Sequence, residues 1–337
     1  MANLGNELNK IKKRNAIKLQ ETRRRAESDI KNSGGSEMFK DQLTKGMILS
    51  PKDSRFHDVY TLYGKIFTLA AERESEEGFK TVLGMNNDPK FTKKYGPVQE
   101  NWFFLQHPRT GKIVAASNFD TYAFPNKDAK TQGTLHGVYA LADPAYRNLG
   151  LGSTLLGMNR EYTKRFLERH SGNQNSQFKI FNEQNNPLEM TVQQYVQDTE
   201  KAGVDQADRL MFWQKRGYKP LNFGYVQPPL EEGGDPATYL TLNVVSPDGK
   251  PVPSSLVLEH LLRFAHFTVL KGKNPLEDLS FKEMKKELES KGQVSVSNPD
   301  YKGLKGVIYG LDVKPKDAEK RLVELIQPQR LRELGYK

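Results

Sequence analysis

A short loop with two glycines lies between a strand-like segment and a helix-like segment, and its residue types suit an anionic phosphate. It comprises Arg147-Asn148-Leu149-Gly150-Leu151-Gly152. At the start of a helix, unpaired amide N–H groups point outward and the helix dipole is positive. Gly150 and Gly152 leave room for the backbone to approach a pyrophosphate closely. Arg147 adds a cation and Ser153 a hydroxyl. The spacing therefore predicts a pyrophosphate site, although G-x-G also serves simply to tighten turns.

Several other chemistries are excluded or lack their motif. The sequence contains no cysteine, which excludes disulfides, thiolate metal sites and a cysteine nucleophile. Neither G-x-x-x-x-G-K-[ST] nor G-x-G-x-x-G occurs in the required strand–turn–helix setting. His and carboxylate residues show no metal-ligand spacing, so we predict no metal.

Hydrophobic periodicity predicts the elements that must position this loop. Residues 54–74 have apolar side chains at helical spacing, and a shorter helix is predicted in residues 76–85. The segments NWFFLQ and KIVAASNFDTY flank a Pro-Gly turn, which predicts a β-hairpin. A further strand, TLHGVYALAD, leads into the loop, and the helix LGSTLLGMNREYTKRFLERH follows it.

The pattern continues downstream with strands and helices in alternation. FKIFNE is predicted as a buried strand, residues 188–216 as helical, and LNFGYVQP and ATYLTLNVV as two more strands. Residues 253–337 contain helical runs and one short strand candidate, QVSVS.

This order of elements resembles the GCN5-related N-acetyltransferase (GNAT) superfamily over roughly residues 50–245. VYALADPAYRNLGLGSTLL resembles the family signature in which Arg or Gln, two residues, Gly, one residue, then Gly or Ala wraps the pyrophosphate. FNEQNNP resembles the strand that follows, and RLMFWQKRGYKPL the later helix that usually reads like FYEKLGF. The resemblance implies an α/β (α+β) fold with a central mixed, mostly antiparallel, splayed β-sheet flanked by helices.

The resemblance also implies an acyl-CoA-dependent N-acyltransferase that moves an acetyl or other short acyl group directly from coenzyme A to an amine. Acetyl-CoA would be the co-substrate, and backbone amides near Leu141 would polarise its thioester carbonyl. Asn185 matches a position that often contacts pantetheine, but it is equally consistent with turn chemistry in QNNP. The cofactor-binding residues expected on this basis are Leu141, Ala142, Arg147, Asn148, Leu149, Gly150, Leu151, Gly152, Ser153 and Asn185.

An ammonium acceptor must lose a proton before attack, so the reaction needs a general base. His136 is the first candidate, because it lies eleven residues before Arg147, where the histone-acetylating branch carries its glutamate base. Glu183, on the next strand, is the second. The alternatives are an ordinary strand histidine and a surface or capping carboxylate.

The acid that protonates the departing thiolate is the Tyr of FYEKLGF in many family members, and Trp213 stands there instead. An indole cannot act as that acid. Tyr225, Tyr218 and Tyr139 are replacements in that order, with a core or cleft aromatic as the alternative for each. Trp213 itself is expected to pack against the cofactor or the helix interior.

An insertion between FNEQNNP and FWQKRGY contains several acids, for which two interpretations are open. A solvated helix face is one interpretation, and recognition of a cationic amine is the other. The acids are Glu189, Asp198, Glu200, Asp205 and Asp208.

The formal charge of +10 is concentrated near the N-terminus, where residues 10–25 hold eight Lys or Arg against one Glu. We predict a basic helical arm in residues 1–35, which ends at the hinge-like KNSGGSE, then an acyltransferase-like domain in residues 38–250 and a mainly helical extension in residues 251–337. Leu4, Leu8 and Ile11 recur at helical spacing and would allow the arm to dock. Binding of RNA or anionic lipid is the alternative, although no aromatic residue precedes Phe39 to stack on bases.

No segment is apolar enough to cross a membrane or to act as a secretory signal, so we expect a cytoplasmic protein. Its expected partner is an amine acceptor, a small molecule or a peptide or protein. The alternative function is a catalytically silent GNAT-like module that binds coenzyme A or a partner. The sequence identifies neither the acceptor nor the acyl length.

Overall fold

The chain divides into two compact units in a computed structural model that describes residues 3–67, 73–125, 131–230 and 233–336. The N-terminal unit comprises Ala16–Ile180. The C-terminal unit comprises Met1–Asn15 together with Phe181–Lys337. The domain boundaries expected near residues 35 and 250 stay predictions.

The helices have the following bounds: α1 Leu4–Asn32, α2 Ser36–Gln42, α3 Phe56–Ile66, α4 Glu76–Gly84, α5 Pro89–Tyr95, α6 Leu151–Ser171, α7 Val192–Ala202, α8 Gln206–Gln214, α9 Ser254–Phe264, α10 Leu279–Glu289, α11 Tyr301–Gly310, α12 Leu322–Leu325 and α13 Pro328–Glu333. The strands are β1 Thr44–Ile48, β2 Val98–Gln106, β3 Ile113–Ala123, β4 Gly133–Ala142, β5 Phe178–Asn185, β6 Tyr218–Pro220, β7 Leu240–Val245, β8 Val252–Pro253 and β9 Gln293–Val294.

Side-chain caps explain where many of these helices begin. A carboxylate or hydroxyl oxygen accepts a hydrogen bond from a backbone N–H in the first turn, which satisfies a donor that the helix itself cannot. Thr191 and Gln194 form a reciprocal capping box at α7. The other capping residues are Ser75, Asp88, Asp205, Asp278 and Asp300, at α4, α5, α8, α10 and α11.

The N-terminal unit contains an antiparallel sheet in the order β1-β2-β3-β4. Ala116 of β3 lies opposite both Phe104 of β2 and Leu141 of β4. Every residue of β3 is buried, which means that both faces of the sheet are covered. Ile48, Trp102, Phe104 and Leu141 pack on one face with apolar residues of α3 and α4.

The opposite face packs against α6, the helix that follows the glycine loop. Leu151 and Leu155 share a core cluster with Leu105 and Ala115 of the sheet. Buried polar pairs add to this contact, since Ser117 donates to Asn159 at 2.9 Å and the hydroxyls of Thr121 and Thr163 lie 3.0 Å apart. The start of α6 is therefore fixed to the sheet. 

β4 contains an irregularity ahead of the loop. Asn118 of β3 pairs with Tyr139, whereas the adjacent Phe119 pairs with Gly137, so Val138 is an extra residue on β4. Such a bulge bends the strand and increases its twist.

The C-terminal unit contains the antiparallel strands β5-β7-β6, of which β5 contributes residues 181–185. One core cluster joins Phe181 and Leu242 of these strands to Val257 and Leu261 of α9 and to Phe281 of α10. A second core cluster contains Leu188, Leu210 and Leu304, with Leu4 and Leu8 from α1.

The sequence predictions agree with most of these elements and fail in three segments. LNFGYVQP is not a strand: only isolated bridges at Leu221 and Gln227 occur, because Gly224 and the Pro228–Pro229 pair interrupt regular pairing. The strand predicted at QVSVS is shorter in the structure, where only β9, Gln293–Val294, is a strand. The helix predicted over residues 54–74 ends at Ile66, and residues 68–72 lie outside the described residues.

The predicted class is confirmed, with mostly antiparallel sheet strands flanked by helices, an N-terminal helix and a mainly helical segment from α9 to α13. The arm docks through the expected side chains, since Leu4, Leu8 and Ile11 are all buried. Among the described helices, none is both long and apolar enough to span a membrane.

Candidate functional site

The glycine loop has the backbone geometry that the sequence predicts. After β4, Asp143 caps a short 3₁₀ turn at Pro144–Tyr146, and Arg147 returns the chain to extended conformation. Asn148 (φ 66°) and Gly150 (φ 78°) then adopt left-handed backbone angles. Gly150 is the N-cap of α6 and has no side chain to cap it. The first helical bond is formed by the Thr154 N–H with the Gly150 carbonyl at 3.1 Å. The amides of Leu151 and Gly152 precede that bond, so the helix supplies no acceptor for them.

Packing holds this loop in place. Leu151 within the loop and Tyr146 just before it are both buried, and Tyr146 stacks on Phe39 with ring centroids 5.6 Å apart. The carboxylate of Asp143 accepts a bond from the Ala145 N–H at 2.9 Å and lies 2.7 Å from the Lys112 ammonium. A loop fixed in this way needs little reorganisation to receive an anion.

Two cations beside the loop are not apparent from the motif. Within the described part of the chain, a Cβ built on Gly150 would come within 4 Å of one atom, the Lys40 Nζ at 3.8 Å. Arg23 Nη2 donates to the Arg147 carbonyl at 3.4 Å. Lys40 comes from α2 and Arg23 from α1, so the fold brings two segments of the N-terminal unit to the loop. Both lie far upstream of the motif. The basic character of α1 was a signal for Arg23 only, and no signal pointed to Lys40.

His136 is enclosed within the sheet. Its side chain has no solvent exposure, and it lies opposite Asp120 in the register of β3 and β4. Burial lowers the pKa of the imidazole to about 3, because the charged form is desolvated. The neutral ring is a weak base at pH 7, so this environment suits a structural histidine better than a proton acceptor.

Glu183 and Tyr225, predicted separately, are in contact in the C-terminal unit. The Tyr225 hydroxyl donates to Glu183 Oε1. Desolvation raises the pKa of the Glu183 carboxyl to about 7, and the bond from Tyr225 opposes that rise. Burial and the neighbouring carboxylate raise the pKa of Tyr225 well above its usual value. A carboxyl with a pKa near 7 is partly deprotonated at neutral pH and can take up a proton, as a general base must.

Gln227 is a third member of this group, and the sequence did not predict it. With its amide nitrogen turned towards Glu183, Gln227 donates to Oε1 at 2.9 Å and to Oε2 at 3.1 Å. The available signal was its spacing of two residues from Tyr225, which puts both side chains on one side of an extended segment. We define Glu183, Tyr225 and Gln227 as the carboxylate cluster.

The other aromatic candidates lie in packed surroundings. The Tyr139 ring contacts Tyr63, Phe79 and Trp102 in the core of the N-terminal unit. Tyr218 is buried, and its ring lies edge-on to Trp213 with centroids 5.0 Å apart. Trp213 also packs edge-on against Phe212. Trp213 therefore packs against aromatic rings of α8 and β6, and its contact with a cofactor stays a prediction.

Leu141 and Ala142 lie in the N-terminal unit, whereas Asn185 lies in the C-terminal unit. Leu141 and Ala142 end β4, and their side chains pack in different core clusters of the N-terminal unit. Asn185 ends β5 and lines a cavity of the C-terminal unit.

All five insertion acids pair with groups of the C-terminal unit, but only Asp198 and Asp205 are buried, so the interpretation as a solvated helix face is wrong for these two. Asp198 is buried and accepts from Arg209. Asp205 accepts from the Tyr195 and Tyr309 hydroxyls at 2.9 and 2.7 Å. The remaining ion pairs are Glu189–Arg321, Glu200–Arg14 and Asp208–Lys305. Within the described part of the chain, no cluster of three His, Asp or Glu side chains could hold a metal ion.

No family model and no curated protein matches the sequence. Solved structures are similar to it at low identity. The loading GNATL domain of CurA from Lyngbya majuscula is 18% identical, with 61% of this chain and 100% of that one covered and a TM-score of 0.36. The ribosomal-protein-S18-alanine N-acetyltransferase from Escherichia coli is 14% identical, with 60% and 93% covered and a TM-score of 0.32. Ard1 from Thermoplasma volcanium is 12% identical, with 60% and 95% covered and a TM-score of 0.32.

Proposed function

We propose that this chain is an acyl-CoA-dependent N-acyltransferase of the GNAT type, with the pyrophosphate of coenzyme A bound at Arg147–Gly152. One observation carries the proposal: a strand leads through two left-handed residues, Asn148 and Gly150, into the N-terminus of a 21-residue helix. This arrangement directs backbone amides and the positive end of the helix dipole to one place. The match of the same residues to the family signature supports the acyl-CoA assignment.

The charge around the loop also suits the ligand. Lys40 lies beside Gly150, and Arg23 contacts the Arg147 carbonyl. A pyrophosphate carries charge that such cations stabilise, and each contact strengthens as the ligand displaces water. The open space beside Gly150 is part of the fit, because a side chain there would occupy the approach to the loop.

For the chemistry we propose Glu183 as general base, with Tyr225 and Gln227 as its hydrogen-bonding partners. The acceptor ammonium gives up a proton, its nitrogen lone pair attacks the thioester carbonyl, and the carbon–sulfur bond breaks to release coenzyme A as a thiolate that takes up a proton. A carboxyl with a pKa near 7 can accept a proton at neutral pH, and His136 with a pKa near 3 cannot do so effectively. Leu141 and Ala142 remain the proposed source of amides for the thioester carbonyl.

The test combines binding and turnover in the full chain. Titration calorimetry with coenzyme A is compared for wild type, Gly150→Leu and Gly157→Ala, and thiol release from acetyl-CoA is followed with polyamines, aminoglycosides, amino acids and peptides. Gly157 lies within α6, and a Cβ there meets nothing within 4 Å, so it is a matched control. We expect Gly150→Leu to weaken binding by tenfold or more and Gly157→Ala to leave it unchanged. Equal binding by all three proteins would contradict the loop assignment.

A catalytically silent module is the second candidate, and the packing of Trp213 against Phe212 and Tyr218 favours it, because the usual acid position is occupied by an indole. Binding of coenzyme A without thiol release on any acceptor would support this alternative. Thiol release with any amine would exclude it.

A further inference from the structure

A cavity of about 290 Å³ lies within the C-terminal unit, and the proposed chemistry does not use it. Its walls come from the end of β5, from α8, from the segment after β6 and from the last residues described. Leu210, Leu221 and Phe223 supply apolar surface, and Asn185, Tyr301 and Tyr336 supply polar groups. Mixed linings of this kind are typical of small-molecule sites.

Several polar groups of this lining have no hydrogen-bond partner among the described residues. The Tyr336 hydroxyl is buried and unsatisfied. The Tyr301 side chain is only 5% exposed, and its hydroxyl bonds to no other described residue. The same holds for the Asn185 amide and the Ser297 hydroxyl, whereas the Asn222 amide donates to Ser295 at 2.8 Å. The Asn185 and Ser297 side chains are only half-buried. A buried donor without an acceptor costs free energy, so it is the Tyr336 hydroxyl that marks a place where a ligand or water supplies the partner.

The lining carries no Lys, Arg, His, Asp or Glu among the residues described. A charged ligand would therefore lose its hydration without gaining an opposite charge, which is strongly unfavourable. The available donors are two phenol hydroxyls, a serine hydroxyl and an amide, and they match carbonyl oxygens. Burial raises the pKa values of Tyr301 and Tyr336, which keeps both phenols protonated as donors.

We propose that this cavity binds a small uncharged molecule with carbonyl acceptors and an apolar group, such as a capped amino-acid amide, held by Tyr301, Tyr336 and Asn185. At roughly 30 Å³ for each water molecule in the liquid, the space equals about ten waters, so it accepts a molecule of about that many non-hydrogen atoms or slightly more. The cavity shares no residue with Arg147–Gly152 and offers no cation to a phosphate. Its Asn185 is also the residue that the family resemblance places against pantetheine, so competition with coenzyme A decides between the two uses.

The probe is N-acetyl-leucinamide, which is uncharged, has two carbonyl groups and contains no amine to be acylated. Binding to the full chain is measured by saturation-transfer NMR and by titration of protein with labelled tyrosine, without acetyl-CoA. We expect a dissociation constant on the order of 1 mM for a ligand of this size. Free leucine, which is a zwitterion, should not bind at the same concentration.

Two variants test the residues. Tyr301→Phe removes only the hydroxyl and should weaken binding about 3- to 10-fold. Its melting temperature should equal that of wild type or exceed it, because no hydrogen bond within the protein is lost. Ser297→Leu places an apolar side chain in the cavity wall and should abolish binding. Tyr95→Phe, in the N-terminal unit, is the control and should bind the probe like wild type.

Absence of binding at tens of millimolar probe would overturn the proposal, and so would equal binding by wild type, Tyr301→Phe and Ser297→Leu. Competition with coenzyme A gives a separate result. If coenzyme A displaces the probe, the cavity belongs to the coenzyme site and the assignment of a separate site is wrong. If both bind together, the assignment is supported, whatever the outcome of the turnover assays.

Discussion

The glycine loop of the N-terminal unit and the carboxylate cluster of the C-terminal unit control charge in opposite ways. At the loop, positive charge comes from helix amides, from Lys40 beside Gly150, which also pairs with Glu37 at 2.7 Å, and from Arg23 at the Arg147 carbonyl. At the carboxylate cluster, burial desolvates Glu183 and raises its pKa to about 7, although the bond from Tyr225 acts in the opposite direction. One arrangement is suited to hold an anion and the other to exchange a proton.

The difference shows which kind of site depends on the backbone and which on the environment. At the loop, the proposed recognising groups are mostly main-chain amides, so glycine spacing and the strand-to-helix order define it. At the carboxylate cluster, an ordinary Glu acquires a new pKa only from its surroundings. Variants should accordingly affect ligand binding at the loop and proton transfer at the carboxylate cluster.

The largest effect is expected for Glu183→Gln. It keeps the shape of the side chain but cannot accept the proton, so kcat should fall by about 10²- to 10⁴-fold while the affinity for coenzyme A stays within about twofold. Steady-state thiol release and calorimetry give the two values. Glu189→Gln, which alters an exposed ion pair with Arg321, is the matched control. Unchanged kcat in Glu183→Gln would show that Glu183 is not the general base.

Asp205 provides a buried acid of a third kind, with its charge satisfied by the fold. Its carboxylate accepts from Tyr195, from Tyr309 and from the Ala207 N–H that begins α8. Asp205→Ala should therefore lower the free energy of unfolding by about 2–4 kcal/mol, measured by urea denaturation.

The control for this variant is Glu200→Ala, which removes a solvent-exposed pair with Arg14 and should cost less than about 0.5 kcal/mol. Equal stability of the two variants would show that the insertion acids are solvated, as the sequence alone suggested.

Lys40→Gln tests whether the loop depends on charge as well as on backbone. Removing the cation beside Gly150 should weaken coenzyme A binding about 3- to 10-fold at low salt, and the difference should shrink as salt screens the charge. Lys45→Gln, an exposed lysine of β1, is the control. If both variants bind like wild type at every ionic strength, the loop recognises its ligand through main-chain groups only.

The smallest effect concerns the pH profile of Tyr225→Phe. Glu183 must be deprotonated to act as a base. In wild type, kcat/KM should therefore increase as the pH rises through about 7, and it should be low at acidic pH. The Tyr225 bond lowers the Glu183 pKa, so its removal should move this limb to higher pH. A limb that moves to lower pH, or does not move, would contradict the hydrogen bond as the source of the tuning.

The sequence predicted the loop well because local rules determine it. Strand alternation, a Pro-containing turn and the helix after Gly150 are all short-range signals, and the structure has them in the predicted order. Lys40 and Arg23 escaped prediction because only the tertiary fold brings α1 and α2 to the loop. The spacing of residues within the motif carries no information about side chains such as these, which lie elsewhere in the sequence.

The carboxylate cluster was predicted in part. Glu183 and Tyr225 were candidates on different segments, but their contact depends on long-range packing, and the segment around Tyr225 is not the regular strand that its apolar residues suggested. The buried acids Asp198 and Asp205 were misjudged for the same reason. Their partners Arg209 and Tyr309 are set by tertiary structure, and a string of acids in a polar helix resembles a solvated face.

The most direct test of the central claim is a binding cycle with coenzyme A and pantetheine, which lacks the pyrophosphate. Calorimetry would measure both ligands with wild type and with Gly150→Leu. Since the loop is proposed to hold the pyrophosphate, Gly150→Leu should weaken coenzyme A by tenfold or more and leave pantetheine unchanged. Equal losses for both ligands, or no loss for coenzyme A, would contradict the assignment of residues 147–152 as the pyrophosphate site.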